Sequence, residues 1–179
     1  MTKYFAFLRA INVGGKNLIK MDELKKVFES LGFKNVTTHI QSGNVMFDSS
    51  TADETVLVKK IENLIHKNLS NDVLVFLRTI DELNEIVKLD PYQKLKFKVP
   101  TKLYITFLKD ELKQKRKLPY LSSKKDVEII RIKNREIYCN ALEINGSYGF
   151  PNLFIEKEFR LKTTTRNWNT IIKVFELMS

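Results

Sequence analysis

The sequence contains little of the chemistry used for metal or disulfide sites, with one cysteine and two histidines among 179 residues. Cys139 cannot form an internal disulfide by itself, and His39 and His66 do not complete a ligand set for structural zinc. We therefore expect no metal site and no cofactor. The apolar neighbours of Cys139 in Ile137-Tyr138-Cys139 indicate a packed strand residue rather than a reactive thiol.

Long apolar runs are also missing from the chain. A membrane-spanning helix needs about 20 consecutive apolar residues, and no stretch of the sequence approaches this length. The segment Met1-Thr2-Lys3-Tyr4-Phe5 has the pattern of a strand rather than of a signal peptide. With 43% hydrophobic residues, the chain can bury one good core or two small ones. We expect a globular, cytoplasmic protein without a membrane partner.

Positive charge is present in excess, and it is concentrated in one segment. Between Lys94 and Arg135, 14 Lys and Arg residues stand against 4 Asp and Glu residues, which accounts for the whole net charge of +10. Such a segment favours salt-dependent binding of nucleic acid or another polyanion. The alternative is that Lys113 to Lys117 and Ser122 to Lys125 form a solvated helix end and loop.

The first half of the chain alternates strand and helix patterns in the order β-α-β-β-α-β, the split unit of ferredoxin-like folds. Gly32 is placed to end the first helix, and Ser42-Gly43 is placed to turn a hairpin. The predicted elements are a strand at Lys3 to Ala10, a helix at Met21 to Leu31, strands at Asn35 to Ile40 and Val45 to Phe47, a helix from about Asp53 to Leu69 and a strand at Val73 to Arg78.

The second half repeats the theme less regularly. We expect, in order, a helix at Ile80 to Leu89, a strand at Lys102 to Leu108, a basic helical stretch, a hairpin of Val127 to Ile132 with Glu136 to Ala141, and closing helices at Phe150 to Leu161 and Trp168 to Met178. The sequence therefore predicts an α+β fold of two ferredoxin-like units packed together, at residues 1–79 and 80–179.

Three polar stretches interrupt these elements and are where function is to be sought. They are Arg9 to Asn17, Gln41-Ser42-Gly43-Asn44 and Thr163 to Thr170. Two of them place a cation beside backbone N–H donors, which is the chemistry of an anion site. The loop Asn12-Val13-Gly14-Gly15-Lys16-Asn17 lacks the spacing of a Walker loop, and a tight turn in which Asn12 satisfies its own loop is an alternative explanation.

Together these motifs resemble those of the bacterial domain-of-unknown-function 1697 family. The resemblance is carried by the opening Y-F-A-F-L-R-A-I-N-V-G-G-K-N with Met21 starting the helix, by Ile40-Gln41-Ser42-Gly43-Asn44-Val45, and by Thr164-Thr165-Arg166-Asn167-Trp168-Asn169-Thr170. It covers essentially the whole chain. It implies an α+β protein built from ferredoxin-like repeats, and it implies no particular activity.

Our leading hypothesis is one inter-lobe site for a phosphate-bearing ligand, either nucleic acid or a nucleotide or other phosphorylated small molecule. Lys16 and Arg166 would pair with phosphate, and the amides of Gly14 and Gly15 would cradle it. The other predicted ligand-binding residues are Arg9, Asn12, Gln41, Ser42, Asn44 and Asn167. Thr165 or Asn167 would also serve as an ordinary N-cap of the last helix.

Two other functional classes fit the same residues. The chain could be a small hydrolase or transferase that uses His39 as a general base. It could instead be a structural or protein-interaction module in which all three motifs are caps and hinges. Period-two alternation collects Phe5, Phe7, Arg9, His39 and Gln41 on one sheet face, which suggests an RNA-stacking platform. The interpretation that we favour is that the second unit covers this face and makes it core.

Overall fold

The chain forms two compact units, Met1–Glu85 (unit 1) and Ile86–Ser179 (unit 2). The computed structural model describes residues 1–9, 11–12, 18–39, 43–69, 72–114 and 116–177. Helix α3 (Ile80–Leu89) contains the boundary between the units. In the described residues no helix has both the length and the apolar character needed to cross a membrane.

Unit 1 is an antiparallel sheet with two helices. Its elements are β1 (Thr2–Leu8), α1 (Met21–Ser30), β2 (Lys34–His39), β3 (Asn44–Ser49), α2 (Glu54–Leu69) and β4 (Val75–Thr79). The strand order is β2-β3-β1-β4, so β1 lies between β3 and β4. The element order is the one that the sequence predicts, and each predicted boundary lies within about two residues of the observed one.

One face of the unit 1 sheet packs against both helices and forms the core. Period-two alternation along β1 places Tyr4, Ala6 and Leu8 on this face. The helices contribute their apolar stripes at the spacing expected for buried helix faces, namely Leu24, Val27 and Phe28 from α1 and Leu57, Ile61 and Ile65 from α2. The alternation of the sequence therefore determines which side chains enter this core.

The opposite face of the same sheet carries Phe5 and Phe7, whose ring centroids lie 4.8 Å apart. Pairing with β4 places Arg78 beside Phe5 and Phe76 beside Phe7. All four side chains are buried. The burial of Phe5 and Phe7 agrees with the interpretation that this face is core, and it rules out an open aromatic platform made from them.

Unit 2 is built on a second antiparallel sheet. Its further elements are β5 (Thr101–Phe107), β6 (Tyr120–Leu121), β7 (Val127–Lys133), β8 (Glu136–Ile144), β9 (Ser147–Tyr148), α4 (Pro151–Phe159), β10 (Thr164–Asn167) and α5 (Trp168–Glu176). The strand order is β10-β5-β8-β7-β6, and β9 pairs with β8. Asn134, with φ of 52°, turns the predicted hairpin between β7 and β8.

Two apolar clusters hold the unit 2 sheet to its helices. Ile129, Ile137 and Cys139 pack with Ile155 and Phe159 of α4. The burial of Cys139 on β8 confirms the prediction of a packed strand residue. On α5, the buried ring of Trp168 makes edge contacts with Tyr92 and Tyr138, at centroid distances of 5.3 and 6.1 Å. Trp168 is therefore an apolar anchor.

The predicted basic helical stretch after β5 is wrong. Residues 108–114 and 116–119 contain no helix. The sequence Lys113-Gln114-Lys115-Arg116-Lys117 brings like charges together, which destabilises a helix. Leu112 and Leu118 pack against the unit 2 core but are six residues apart, a spacing that does not share one helical face.

Strand β10 is an element that the sequence analysis missed. Thr164 to Asn167 was expected only to precede and cap the last helix, but it pairs antiparallel with β5, with Thr164 opposite Phe107. Four residues are too few to show a period-two pattern, although two adjacent threonines favour a strand. The described residues form a mixed α/β structure with two antiparallel sheets and five helices. A repeat of two ferredoxin-like units is not confirmed, because no helix occupies the first connection in the described part of unit 2.

Candidate functional site

Asn12 closes the loop that follows β1. Its backbone is left-handed, with φ of 54°, a conformation that asparagine tolerates better than most residues. Its Nδ2 donates to the carbonyl of Ile19 at 3.0 Å, and its Oδ1 accepts from the N–H of Ile19 at 2.7 Å. These two bonds support the alternative in which Asn12 satisfies its own loop. Gly14, Gly15 and Lys16 lie outside the described residues.

Asn44 and His39 face each other across the turn between β2 and β3. Asn44 is buried, and its Nδ2 donates to the backbone carbonyl of His39 at 3.3 Å. The imidazole of His39 is half-buried and forms no hydrogen bond with the part of the chain that the structure describes. Gln41 and Ser42, the other predicted residues of this turn, lie outside the described residues.

Arg9 follows the last residue of β1 and continues its pairing with the neighbouring strand. Its backbone N–H donates to the carbonyl of Leu74 at 2.8 Å, and the residue is half-buried. Arg9, Asn12 and Asn44 all belong to unit 1, whereas Arg166 and Asn167 belong to unit 2. The predicted convergence of these residues on one ligand stays a prediction.

Arg166 lies near the end of β10 and is half-buried. Its Nη1 donates to Thr164 Oγ1 at 2.8 Å and to the carbonyl of Thr165 at 3.0 Å. Burial lowers the pKa of the Arg166 guanidinium to about 10, because desolvation disfavours its charged form. The guanidinium still carries its charge at neutral pH, and its two bonds to the strand hold it in a fixed orientation.

Asn167 is the N-cap of α5, as one of the two sequence alternatives predicted. Its Oδ1 accepts a hydrogen bond from the N–H of Asn169 at 2.9 Å and satisfies a donor that the first helical turn would leave unpaired. The role of its side-chain oxygen is therefore structural, and the predicted ligand contact of Asn167 stays a prediction.

The cations of segment 94–135 are on the surface of unit 2. Every Lys and Arg that the structure describes in this segment is exposed, except for the half-buried Arg135. Arg131 and Lys133 on β7 form no ion pair with the described residues. The remaining cations and carboxylates of the chain balance each other at 17 each, so the excess charge is confined to one surface segment.

Arg116 is a cation of this segment with a structural role. Its Nη2 lies 2.8 Å from Glu158 Oε1, and Tyr120 donates its hydroxyl to the same oxygen at 2.8 Å. The guanidinium also lies over the rings of Tyr120 and Phe159, at 5.4 and 5.8 Å from their centroids. Arg116 therefore ties the irregular connection after β5 to α4.

A groove of about 530 Å³ in unit 2 was not anticipated from the sequence. Segments from β5, β9, α4 and β10 form it, and its lining residues are Lys102, Tyr104, Ser147, Tyr148, Gly149, Phe150, Pro151, Asn152, Leu153 and Thr165. Thr165 is the one lining residue that belongs to a predicted motif. The lining residues come from three parts of the chain, namely 102–104, 147–153 and Thr165, and no local pattern indicates that these parts meet.

A chain of hydrogen bonds supports one wall of this groove. Thr163 and Thr165 both donate to Asn152 Oδ1, at 3.1 and 3.0 Å. Since Thr165 gives its hydrogen to Asn152, the buried Thr106 donates to Thr165 Oγ1 over 2.7 Å. Thr163 and Thr165 are two residues apart, so their side chains lie on the same side of an extended chain. This spacing is the one sequence signal that points to their shared partner, Asn152.

The described residues contain no group of three or more His, Cys, Asp or Glu side chains that could hold a metal ion. The donors of the groove and of the motifs are amides, hydroxyls and cations instead. These groups suit an anionic or hydrogen-bond-accepting ligand.

Comparison with known proteins identifies the family of this chain. The chain is similar to a solved structure, the conserved bacterial protein SP0830 from Streptococcus pneumoniae, with 21% sequence identity, a TM-score of 0.70 and 99% of each chain covered. At this identity the likeness shows the fold alone. No curated protein matches the chain. A family model described as a protein of unknown function (DUF1697) matches residues 1–138. The resemblance seen in the sequence motifs is thereby confirmed, and the chain belongs to the DUF1697 family.

Proposed function

We propose that this protein binds a phosphate-bearing ligand, and that the ligand is nucleic acid held by the exposed cations of unit 2. The observation that carries the proposal is the excess charge of segment 94–135, which is displayed on the surface of one compact unit. The residues outside this segment carry no net charge. The excess positive charge is therefore not spread over the molecule, as it would be if its role were only to keep the protein soluble.

Exposed ammonium and guanidinium groups attract a polyanion mainly through release of the counterions condensed on it. Lys113, Lys117 and Lys133 are exposed and form no ion pair with the described residues. Their charge is not neutralised by a neighbouring carboxylate, unlike that of Arg116. We therefore expect strong salt dependence of binding.

The polar motifs supply a more specific part of the proposal. Lys16 and Arg166 pair with phosphate, and the amides of Gly14 and Gly15 cradle it. Two observations support these roles: Asn12 clamps the ends of the loop through Ile19, and Arg166 is fixed on its strand by two hydrogen bonds. We also propose that unit 2 is a ferredoxin-like variant, since its strand order β10-β5-β8-β7 parallels the order β4-β1-β3-β2 of unit 1.

A second candidate function is a structural or protein-interaction module with no ligand. It is supported by the bonds of Asn12, Asn44 and Asn167, each of which satisfies backbone groups of its own unit. Under this alternative, Lys16→Ala and Arg166→Ala lower thermal stability and leave nucleic-acid binding unchanged. Under our proposal, both variants weaken binding and flatten its salt dependence. The hydrolase or transferase that would use His39 stays a prediction.

The proposal is tested by fluorescence anisotropy with a labelled single-stranded DNA of about 12 nucleotides, within the usual range of single-strand site sizes. Affinity is measured between about 50 and 200 mM salt for the wild type and for a variant with Lys113→Gln, Lys117→Gln and Lys133→Gln. Each lost phosphate contact reduces the slope of log affinity against log salt by about 0.7. We expect a reduction of about 2 if all three lysines contact phosphate.

The matched control neutralises three exposed lysines of unit 1, with Lys26→Gln, Lys59→Gln and Lys60→Gln. It changes the net charge by the same amount and should leave the slope close to that of the wild type. Equal slopes for the two triple variants would show that the basic surface of unit 2 is not the binding surface. No measurable binding at the lowest salt would overturn the proposal altogether.

A further inference from the structure

We propose that the unit 2 groove holds one unpaired nucleobase together with its phosphate, so that the protein binds single strands more tightly than duplexes. This inference rests on the proposed nucleic-acid binding and assigns a site to it. A volume of about 530 Å³ is in the range of small-ligand sites. Three kinds of groups meet in the groove: fixed amide donors, a cation and exposed apolar side chains.

The amide donors belong to Asn152. Its Oδ1 accepts hydrogen bonds from both Thr163 and Thr165, so Nδ2 is directed away from these threonines. The two N–H groups of Nδ2 have no hydrogen-bond partner among the described residues, and Asn152 lines the groove. The two threonine bonds fix the orientation of the amide before a ligand binds. Its N–H groups can therefore donate hydrogen bonds to acceptor atoms on the edge of a base.

The cation is Lys102 at the start of β5. Its Nζ lies 3.9 Å from the centroid of the Tyr148 ring, and this cation–π contact places the ammonium at the groove. Lys102 is exposed and forms no ion pair with the described residues. Its charge therefore remains available for the phosphate that is attached to the bound nucleoside.

The apolar surface comes from the beginning of α4. Phe150 is 73% exposed and Leu153 is 65% exposed, which is unusual for large apolar side chains that lie close together in the chain. Phe150 is the N-cap residue of α4 and lines the groove, and its exposure leaves ring surface on which a base can stack.

This combination selects the occupant. An aliphatic ligand would leave the donors of Asn152 unpaired, and a free phosphate ion would make no use of Phe150 and Tyr148. A nucleotide uses the amide, the aromatic rings and the ammonium together. In a duplex the bases are stacked and paired, so only an unpaired or flipped-out base can enter such a groove.

The test compares a single-stranded DNA of about 12 nucleotides with the duplex of the same sequence, at one low salt concentration. Phe150→Ala removes the stacking ring from an exposed position, so the fold should be retained. Asn152→Asp keeps the oxygen that Thr163 and Thr165 need but removes the N–H donors. We expect each variant to weaken single-strand binding about tenfold, as for one lost stacking or base contact, and to leave duplex binding within about twofold.

Phe97→Ala is the matched control, because Phe97 is an exposed phenylalanine of unit 2 outside the groove. It should bind both DNAs as the wild type does. If Phe150→Ala and Asn152→Asp bind the single strand with wild-type affinity, the groove inference fails, while the lysine variants of unit 2 still decide the proposed function. If the wild type binds neither DNA, both proposals fail.

Discussion

Thr165 on β10 donates a hydrogen bond to the amide oxygen of Asn152 on α4 over 3.0 Å, and it accepts one from Thr106 on β5 over 2.7 Å. One hydroxyl thus connects the edge strand of the unit 2 sheet to a central strand and to a helix. Thr106 is completely buried, so its hydroxyl has no access to water if Thr165 is lost. The connection has a measurable consequence for stability.

We expect Thr165→Val to lower the free energy of unfolding by about 1–3 kcal/mol, because it leaves the buried hydroxyl of Thr106 without its acceptor. Valine keeps the shape and the strand propensity of threonine. The measurement is urea denaturation followed by circular dichroism. Thr170→Val on α5 is the control, since Thr170 is half-buried and its hydroxyl has no partner among the described residues. Equal losses in the two variants would show that the hydrogen-bond chain does not stabilise unit 2.

Gly43, the third residue of the second predicted motif, is expected to tolerate no side chain. Its φ is +72°, and an added Cβ would lie 2.7 Å from Ile11 Cδ1 and 2.9 Å from Leu8 Cβ. Gly43→Ala should therefore cost about 1–2 kcal/mol of backbone strain and about 1–3 kcal/mol of overpacking. Thermal unfolding measures the sum.

The control for this substitution is Gly32→Ala after α1. Gly32 has a similar φ of +81°, but no atom lies within 4 Å of the position that its Cβ would take. It should show the backbone strain alone, so Gly43→Ala should be the more destabilising variant by about 1–3 kcal/mol. A Gly43→Ala protein as stable as the Gly32→Ala protein would contradict the close approach of Ile11 to this turn.

Cys139 is expected to be inert in the folded protein. Burial raises the pKa of its thiol from 9.0 to about 12, so almost no thiolate forms at pH 8. We expect iodoacetamide to modify Cys139 only when the chain unfolds, which mass spectrometry with and without urea can measure. Rapid modification without urea would contradict the packing of this strand.

The same shift predicts a pH dependence of stability. The folded state keeps the thiol protonated while the unfolded state releases its proton, so the stabilisation is complete below about pH 9 and is lost as the pH rises towards 12. Cys139→Ala removes this contribution and retains every tyrosine. The free energy of unfolding of the wild type should therefore fall more steeply with pH than that of the variant over this interval. Parallel curves of this free energy against pH would contradict the raised pKa of Cys139.

The sequence predicted the elements of unit 1 because their apolar residues recur with clear periods. Leu24, Val27 and Phe28 mark one helical face, and Tyr4, Ala6 and Leu8 mark one strand face. The cap at Asn167 and the burial of Cys139 were also predictable, since each depends on the immediate neighbours of one residue. The connection after β5 was predicted wrongly because a run of cations has no apolar period to test.

Some of the candidate sites could also be predicted from the sequence, and one could not. The polar motifs were visible from glycines, asparagines and cations that a core does not need, and the basic segment was visible from composition. The groove was not visible, because Lys102 lies more than 40 residues before Tyr148 and Asn152 in the chain, and no local pattern indicates that these segments meet.

The sequence by itself determined the order of the elements in unit 1, the buried faces of its helices and of β1, and the confinement of the excess charge to one segment. Only the tertiary structure decided that Thr164 to Asn167 is a strand and that Thr165 meets Thr106, 59 residues away in the chain. The physical reason is that apolar periodicity repeats within a few residues, whereas strand pairing and side-chain hydrogen bonds between distant segments depend on how those segments pack.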